Sequence, residues 1–181
     1  MPGPAKPAHH LDLRVRELAQ LFNSMDPTPF LNKDLDREAE AFIEAWAVGF
    51  PTDSRLTITV HLQEMPADGD PTTLVTEAIH NYFVYKGGLM RRDLKRLLTR
   101  GRTSLLIGLS FVAVCLLAAE AIGKLQLSPV LMVVRESLLI VGWVAMWRPL
   151  EIFLYDWWPL ARWIRVYRSL SHAHVHVVQG K

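Results

Sequence analysis

The sequence predicts an α+β membrane protein: a small cytoplasmic β-α-β-α domain, then a transmembrane helical hairpin, then a C-terminal interfacial helix. Three observations lead there. Residues 103–158 hold two long apolar runs separated by a short break at Gly123–Ser128. Charge is divided between the halves, since residues 1–90 carry 7 Lys and Arg against 13 Asp and Glu, whereas residues 91–181 carry 13 against 5. The acidic half shows strand and helix periodicities, and the basic half is the apolar, Trp-rich one. A chain of 181 residues with half of them hydrophobic is long enough for one such domain and an appendage. The implied divisions are a disordered lead-in (1–10), the α/β domain with its long basic helix (11–102), the hairpin (103–148), an amphipathic interfacial segment (149–170) and a flexible tail (171–181).

Met1–Lys6 contains no apolar stretch, so no cleaved signal peptide is expected. From Leu11 to Val15 apolar and charged residues alternate, the period of a half-buried strand. Leu11, Val15, Leu18 and Phe22 also fit helical spacing; the strand is preferred because Pro27 and Pro29 make Asn23–Pro29 a rigid turn. Asp34 can cap the next helix, with Asp36 and Glu38 near its positive end. Leu35, Ala39, Phe42, Ile43 and Trp46 form its apolar stripe, and Gly49-Phe50-Pro51 ends it. Arg55–Leu62 is the clearest strand, with Leu56, Ile58, Val60 and Leu62 on one face and Thr57, Thr59 and His61 on the other. Two strands alone are marginal in water, so pairing with another subunit is expected.

Met65–Asp70 reads as a turn, and Asp70-Pro71 as an N-cap followed by proline at the first helical position. Leu74, Val75, Ala78, Ile79, Tyr82 and Phe83 make one stripe, which Met90, Leu94, Leu97 and Leu98 continue. Gly87-Gly88 interrupts it, at about 1 kcal/mol per glycine relative to alanine. A continuous or gently bent helix to Ile122 is the preferred reading, and a break at the glycines the alternative.

Thr103–Ala119 is uncharged over 17 residues and reaches 21 at Gly123, close to the roughly 20 residues a bilayer requires. Arg91, Arg92, Lys95, Arg96, Arg100 and Arg102 precede it, so that flank and the N-terminal domain are assigned to the cytoplasm. Ser128-Pro129 starts a second span that ends near Trp147. With the turn centred near Gln126, residues at equal depth on the two helices have numbers adding to about 252, from the rise per residue common to both helices. Arg148 then lies at the cytoplasmic boundary. Arg135 lies within about one helical turn of Glu120, an expected ion pair inside the membrane. Pro149 should kink the helix at Arg148. Trp147, Arg148, Trp157, Trp158, Arg162, Trp163 and Arg165 are the expected interfacial anchors, favouring anionic lipids and placing the C-terminus in the cytoplasm as well.

The chain lacks P-loop, GxGxxG, HExxH, GxSxG and EF-hand spacings, so no catalytic set, metal or cofactor is expected. Nucleic acid is not an expected partner, because the basic segment borders apolar spans. A single cysteine, Cys115, excludes an internal disulfide and reads as a small hydrophobe, as do Met132 and Met146. Asp34, Asp36, Glu38 and Glu40 read as a solvated helix face. His61 and His80 are acid–base candidates without a partner that the sequence can place. His172, His174 and His176 alternate and could share one side of an extended segment, but a short polar-ended tail reads as disordered.

Two stretches, LFNSMDPTPF (Leu21–Phe30) and ESLLIVGWVAMWRPLEIFLYDWWP (Glu136–Pro159), resemble uncharacterised bacterial inner-membrane proteins of this length. The resemblance implies a bacterial cytoplasmic membrane and no chemistry. The expected role is a non-enzymatic interaction or oligomerisation module, working as a homo-oligomer or with a protein partner. An oligomeric pore or transport-accessory subunit, with Gly108, Ser110, Ala113 and Gly142 at close helix contacts, is the alternative. A lipid-headgroup-modifying enzyme using His61 or His80 is the second.

Overall fold

The computed structural model describes residues 7–23, 33–51, 54–64, 70–124 and 128–180. Most of the Asn23–Pro29 turn, the Met65–Gly69 turn, the centre of the hairpin near Gln126 and residues 1–6 of the lead-in lie outside them. The described chain forms two compact units, one of residues 1–90 with 162–181 and the other of residues 91–161.

The first unit is built on a parallel three-stranded sheet of order β1-β2-β3, comprising β1 (Ala8–Val15), β2 (Arg55–Leu62) and β3 (His174–Gln179). The alternation that predicted β1 and β2 holds: Leu11, Leu13, Leu56, Ile58, Val60 and Leu62 are buried on one face. Two expectations are corrected. Ala8–His10 belongs to β1 rather than to a disordered lead-in, and the segment read as a flexible tail supplies β3. Ala173, Val175 and Val177 carry the period of a strand, and β2 offers them an open edge from Thr57 to Leu62. The third strand therefore comes from the same chain, so the sheet does not depend on a second subunit to exceed two strands.

Helix α1 (Arg37–Val48) is capped by Asp36, whose side chain accepts from the Glu38 N–H at 2.9 Å, and not by Asp34. The shift follows from Leu35, which is held extended in an antiparallel bridge with Phe22 and buried. Its stripe is correspondingly displaced: Ile43 and Ala47 are buried, whereas Phe42 is exposed. Gly49 ends the helix as expected. A short 3-10 turn, Leu18–Leu21, places Leu21 in the core.

Helix α2 runs unbroken from Pro71 to Gly123. Val75, Ala78, Ile79, Tyr82 and Phe83 face the sheet. At Gly87 α5 (Trp157–Leu170) lies against the helix, with Tyr167 Cβ 3.5 Å from where a Gly87 Cβ would be. A Gly88 Cβ would meet nothing within 4 Å. Gly88→Ala is therefore expected to stabilise the protein by about 0.5–1 kcal/mol through reduced backbone entropy of the unfolded chain. Denaturant unfolding of the two proteins side by side checks it.

The remaining helices are α3 (Pro129–Ala145), α4 (Trp147–Glu151), a π-helical turn (Ile152–Asp156) and α5. Pro149 was expected to disturb the helix at Arg148; the interruption falls at Met146. Proline has no N–H to give the carbonyl four residues back, and its ring crowds that group, here Ala145. Val166, Tyr167 and Leu170 of α5 are buried in the core of the first unit, so the last part of the predicted interfacial segment is a core helix.

Candidate functional site

Two helical stretches, Pro71–Gly123 and Pro129–Leu170, are long and apolar enough to cross a membrane. Their apolar side chains are turned outward: Leu106, Ile107, Val114, Leu117, Val130, Val133, Ile140, Trp143, Val144 and Trp147 are each more than 60% exposed. The inward seam is made of small residues. A Cβ on Gly101 would lie 2.8 Å from Ile152 Cγ2, one on Gly108 3.2 Å from the Ala145 carbonyl oxygen, and one on Gly142 3.3 Å from Cys115 Cβ. Gly101, Gly108 and Cys115 recur every seventh residue, the repeat of a seam between two helices packed at a shallow angle. Gly108 and Gly142 were anticipated here; Ser110 and Ala113 are exposed instead, and Gly101 and Cys115 take part. The facing pairs Gly101/Ile152, Gly108/Ala145, Gly142/Cys115 and Gly123/Arg135 have numbers adding to 253–258, within a turn or two of the 252 expected.

That register predicts a cross-link. Gly142→Cys should form a disulfide with Cys115, because the two Cβ atoms would need to move apart only slightly to reach the usual 3.5–4.5 Å. Mild oxidation of purified protein should give a monomer about 2 Da lighter by intact mass, two hydrogens being lost as the bond forms.

The charges within the apolar stretches are arranged differently from the expectation. Glu120 pairs with Lys124 at 3.0 Å and Arg135 with its neighbour Glu136 at 3.5 Å, so the predicted Glu120–Arg135 pair is not formed. Position along the hairpin brings two residues level but does not set the direction each faces around its helix. Of the predicted anchors, Trp147 and Trp158 are largely exposed, and Arg148 pairs with Glu151 at 2.7 Å and Asp156 at 3.5 Å. Trp157 donates its indole N–H to the Phe153 carbonyl, and Arg165 is exposed. Arg162 and Trp163 are engaged elsewhere: Arg162 donates to the Val48 carbonyl at the end of α1, and Trp163 packs on the core and stacks on Tyr167.

The opposite face of the sheet is polar. Its rungs are His10–Thr57–His174, Asp12–Thr59–His176 and Arg14–His61–Val178. Among the described residues the buried apolar cluster lies on the other face, which is unusual, since parallel sheets are as a rule covered on both sides. Asp12 Oδ1 lies 2.9 Å from His61 Nε2 and 3.2 Å from His10 Nε2. His61 thus has the partner that the sequence could not place, and β1–β2 register provides it. His10, Asp12 and Arg14 were missed; the only sequence signal was their alternation with Leu11, Leu13 and Val15. Asp12 Oδ1 meets His10 from its own strand, two residues before it, and His61 from a rung beyond it. Consistent with that approach from opposite ends, no group of three potential ligands able to hold a metal occurs among the described residues.

The hydrogen bond with His61 holds the Asp12 carboxyl below its ordinary value, with the charge of His10 adding to the effect. A depressed carboxyl contributes stability above its unfolded-state pKa, and that contribution disappears as pH falls through the folded-state value. Asp12→Asn should consequently flatten the acid limb of the pH–stability curve while leaving the slope above neutrality unchanged, as measured by thermal unfolding at a series of pH values.

The other candidates are structural. His80 Nε2 lies 2.8 Å from the Ala173 carbonyl oxygen, an acceptor only, so it donates there and fixes the entry to β3. Glu40 is not on a solvated face: it pairs with Lys86, which also lies 3.7 Å from Glu44, while the Tyr167 hydroxyl donates to Glu44 at 2.9 Å. Burial raises the Glu44 carboxyl; at Glu40 burial is the largest single influence and acts the same way, but hydrogen bonds with Lys86, Tyr82 and Glu44 and the Lys86 charge together outweigh it and lower the carboxyl. Burial and these carboxylates raise both Tyr82 and Tyr167. The network ties α1, α2 and α5 together. Compared with protein-family models, curated proteins and solved structures, the chain gives no match.

Proposed function

We propose that the protein is a membrane-anchored interaction module of a bacterial cytoplasmic membrane, with both termini in the cytoplasm. The observation that carries this reading is the outward-facing apolar belt on α2 and α3. An 18-residue apolar window that is only 17% buried in one helix and 6% in the other argues against a soluble core helix. In water that area would be a strong association site; in lipid it is the ordinary surface of a spanning hairpin. The six Lys and Arg between Arg91 and Arg102 support cytoplasmic placement of that flank. The resemblance of Leu21–Phe30 and Glu136–Pro159 to bacterial inner-membrane proteins supports the compartment.

The sheet supports the second half of the reading. A polar parallel-sheet face bearing four histidines, Asp12 and Arg14 is surface offered to something other than the protein's own helices. Reporter fusions after Arg102, Gly123 and Lys181 test the threading: only the fusion after Gly123 should report from outside. Purification in mild detergent with quantitative mass spectrometry tests the role. A strict monomer that brings no partner with it would count decisively against an interaction module.

A further inference from the structure

Because the three strands are parallel, their carboxyl ends share one margin of the sheet, at Val15, Leu62 and Gln179. A cavity of about 270 Å³ lies there, lined by Arg14, Val15, Arg16, His61, Gln63 and Gly180. Two guanidinium groups, an imidazole and an amide line it, and no carboxylate does. Among the described residues the Arg14 side chain makes no hydrogen bond or ion pair, and the Arg16 side chain uses only its Nε, which donates to Glu64 at 3.0 Å. The Asp12 carboxylate is turned to His61 and His10, which leaves the second ring nitrogen of His61 uncommitted. Gly180 closes the cavity: its N–H donates to the Leu62 carbonyl at 2.7 Å, and a Cβ there would lie 3.5 Å from His61 Cβ.

We propose that this pocket binds a phosphate-type oxyanion, with Arg14 and Arg16 donating to its oxygens and His61 adding a third donor in its doubly protonated form. Planar guanidinium forks match a tetrahedral oxyanion, and such charge-assisted bonds are roughly twice as strong as neutral ones. The ligand is free phosphate, a small monoester, or the phosphodiester of an anionic lipid. The inference concerns the sheet-bearing unit and stands whether or not the hairpin spans a bilayer.

The test is calorimetric titration of the full-length protein in an uncharged detergent with inorganic phosphate and with phenyl phosphate, at constant ionic strength. Saturable binding that chloride does not reproduce is expected. Arg14→Gln and Arg16→Gln should each weaken it about tenfold or more, the scale of one lost charge-assisted hydrogen bond. Both side chains are exposed, so the variants should unfold at the wild-type temperature, and Arg92→Gln should bind as wild type. A second arm compares nanodiscs of phosphatidylcholine with nanodiscs containing phosphatidylglycerol. Binding confined to the phosphatidylglycerol arm and lost in Arg14→Gln would support the site and identify its phosphate as lipid-borne. Absence of saturation in both arms, or binding that both variants retain, would overturn the proposal.

Discussion

Ending the chain at Ser171 should collapse the sheet-bearing unit, not trim a loose end. The deletion removes β3 and with it the six residue pairs that join Thr57–Leu62 to His174–Gln179. It also removes Ala173 and Val175, both buried, and strips one edge from Ile58 and Val60, which are fully buried in the intact protein. What remains is a two-stranded sheet, and a two-stranded sheet is marginal in water. The Ala173 carbonyl is lost as well, leaving His80 without its acceptor inside the unit. A single substitution isolates the cause. Val175→Asp puts a carboxylate at a position that is 5% exposed among apolar neighbours, and should cost about 3 kcal/mol or more. His174→Ala and His176→Ala lie on the polar face of the same strand and should change stability by no more than about 0.5 kcal/mol. Limited proteolysis and denaturant unfolding of the four proteins check the order. A truncated protein as resistant as wild type would mean that β3 contributes nothing.

The same strand shows where sequence reasoning runs out. Ala173, Val175 and Val177 have the alternation that identified β2, over a segment hardly shorter. What identifies β3 is an edge supplied more than a hundred residues earlier, and no local pattern contains that. The α5 stripe of Trp163, Val166, Tyr167 and Leu170 poses a related problem. An apolar stripe states that something covers it, but not whether lipid or the protein's own sheet does so. Trp163 and Arg162 were read as facing lipid for that reason, and they contact Tyr167 and Val48. Where one local signal decides, sequence and structure agree: the strand face of Leu56–Leu62, the stop at Gly49, the start at Pro129. Asp12 and His61 fall between these cases. Each lay on a polar face that the period revealed, but the rung that joins them depends on which strand lies beside which.

Gly108→Leu is expected to be the most damaging single substitution in the hairpin. Pro149 has no N–H to give the Ala145 carbonyl, and that oxygen lies 3.2 Å from where a Gly108 Cβ would be, with Met146 Sδ equally close. A hydrogen on the glycine Cα can face the oxygen there, a weak but favourable contact. A side chain of four carbons cannot be accommodated without moving a backbone carbonyl, which has no rotamer by which to escape. Overpacking of this kind costs about 1–3 kcal/mol in soluble cores. In a helix pair whose association rests on close packing of small residues, the same displacement affects the whole seam. Ser110→Leu and Ala113→Leu point outward and should be neutral, which separates an effect of position from an effect of size. The readout is the Cys115 to Gly142→Cys cross-link. It should form in the Ser110→Leu and Ala113→Leu backgrounds as it does in the parent, and its yield should fall at least severalfold beside Gly108→Leu. Equal yields in all three would mean that α2 and α3 do not meet through Gly108, and the register built on that contact would have to be abandoned.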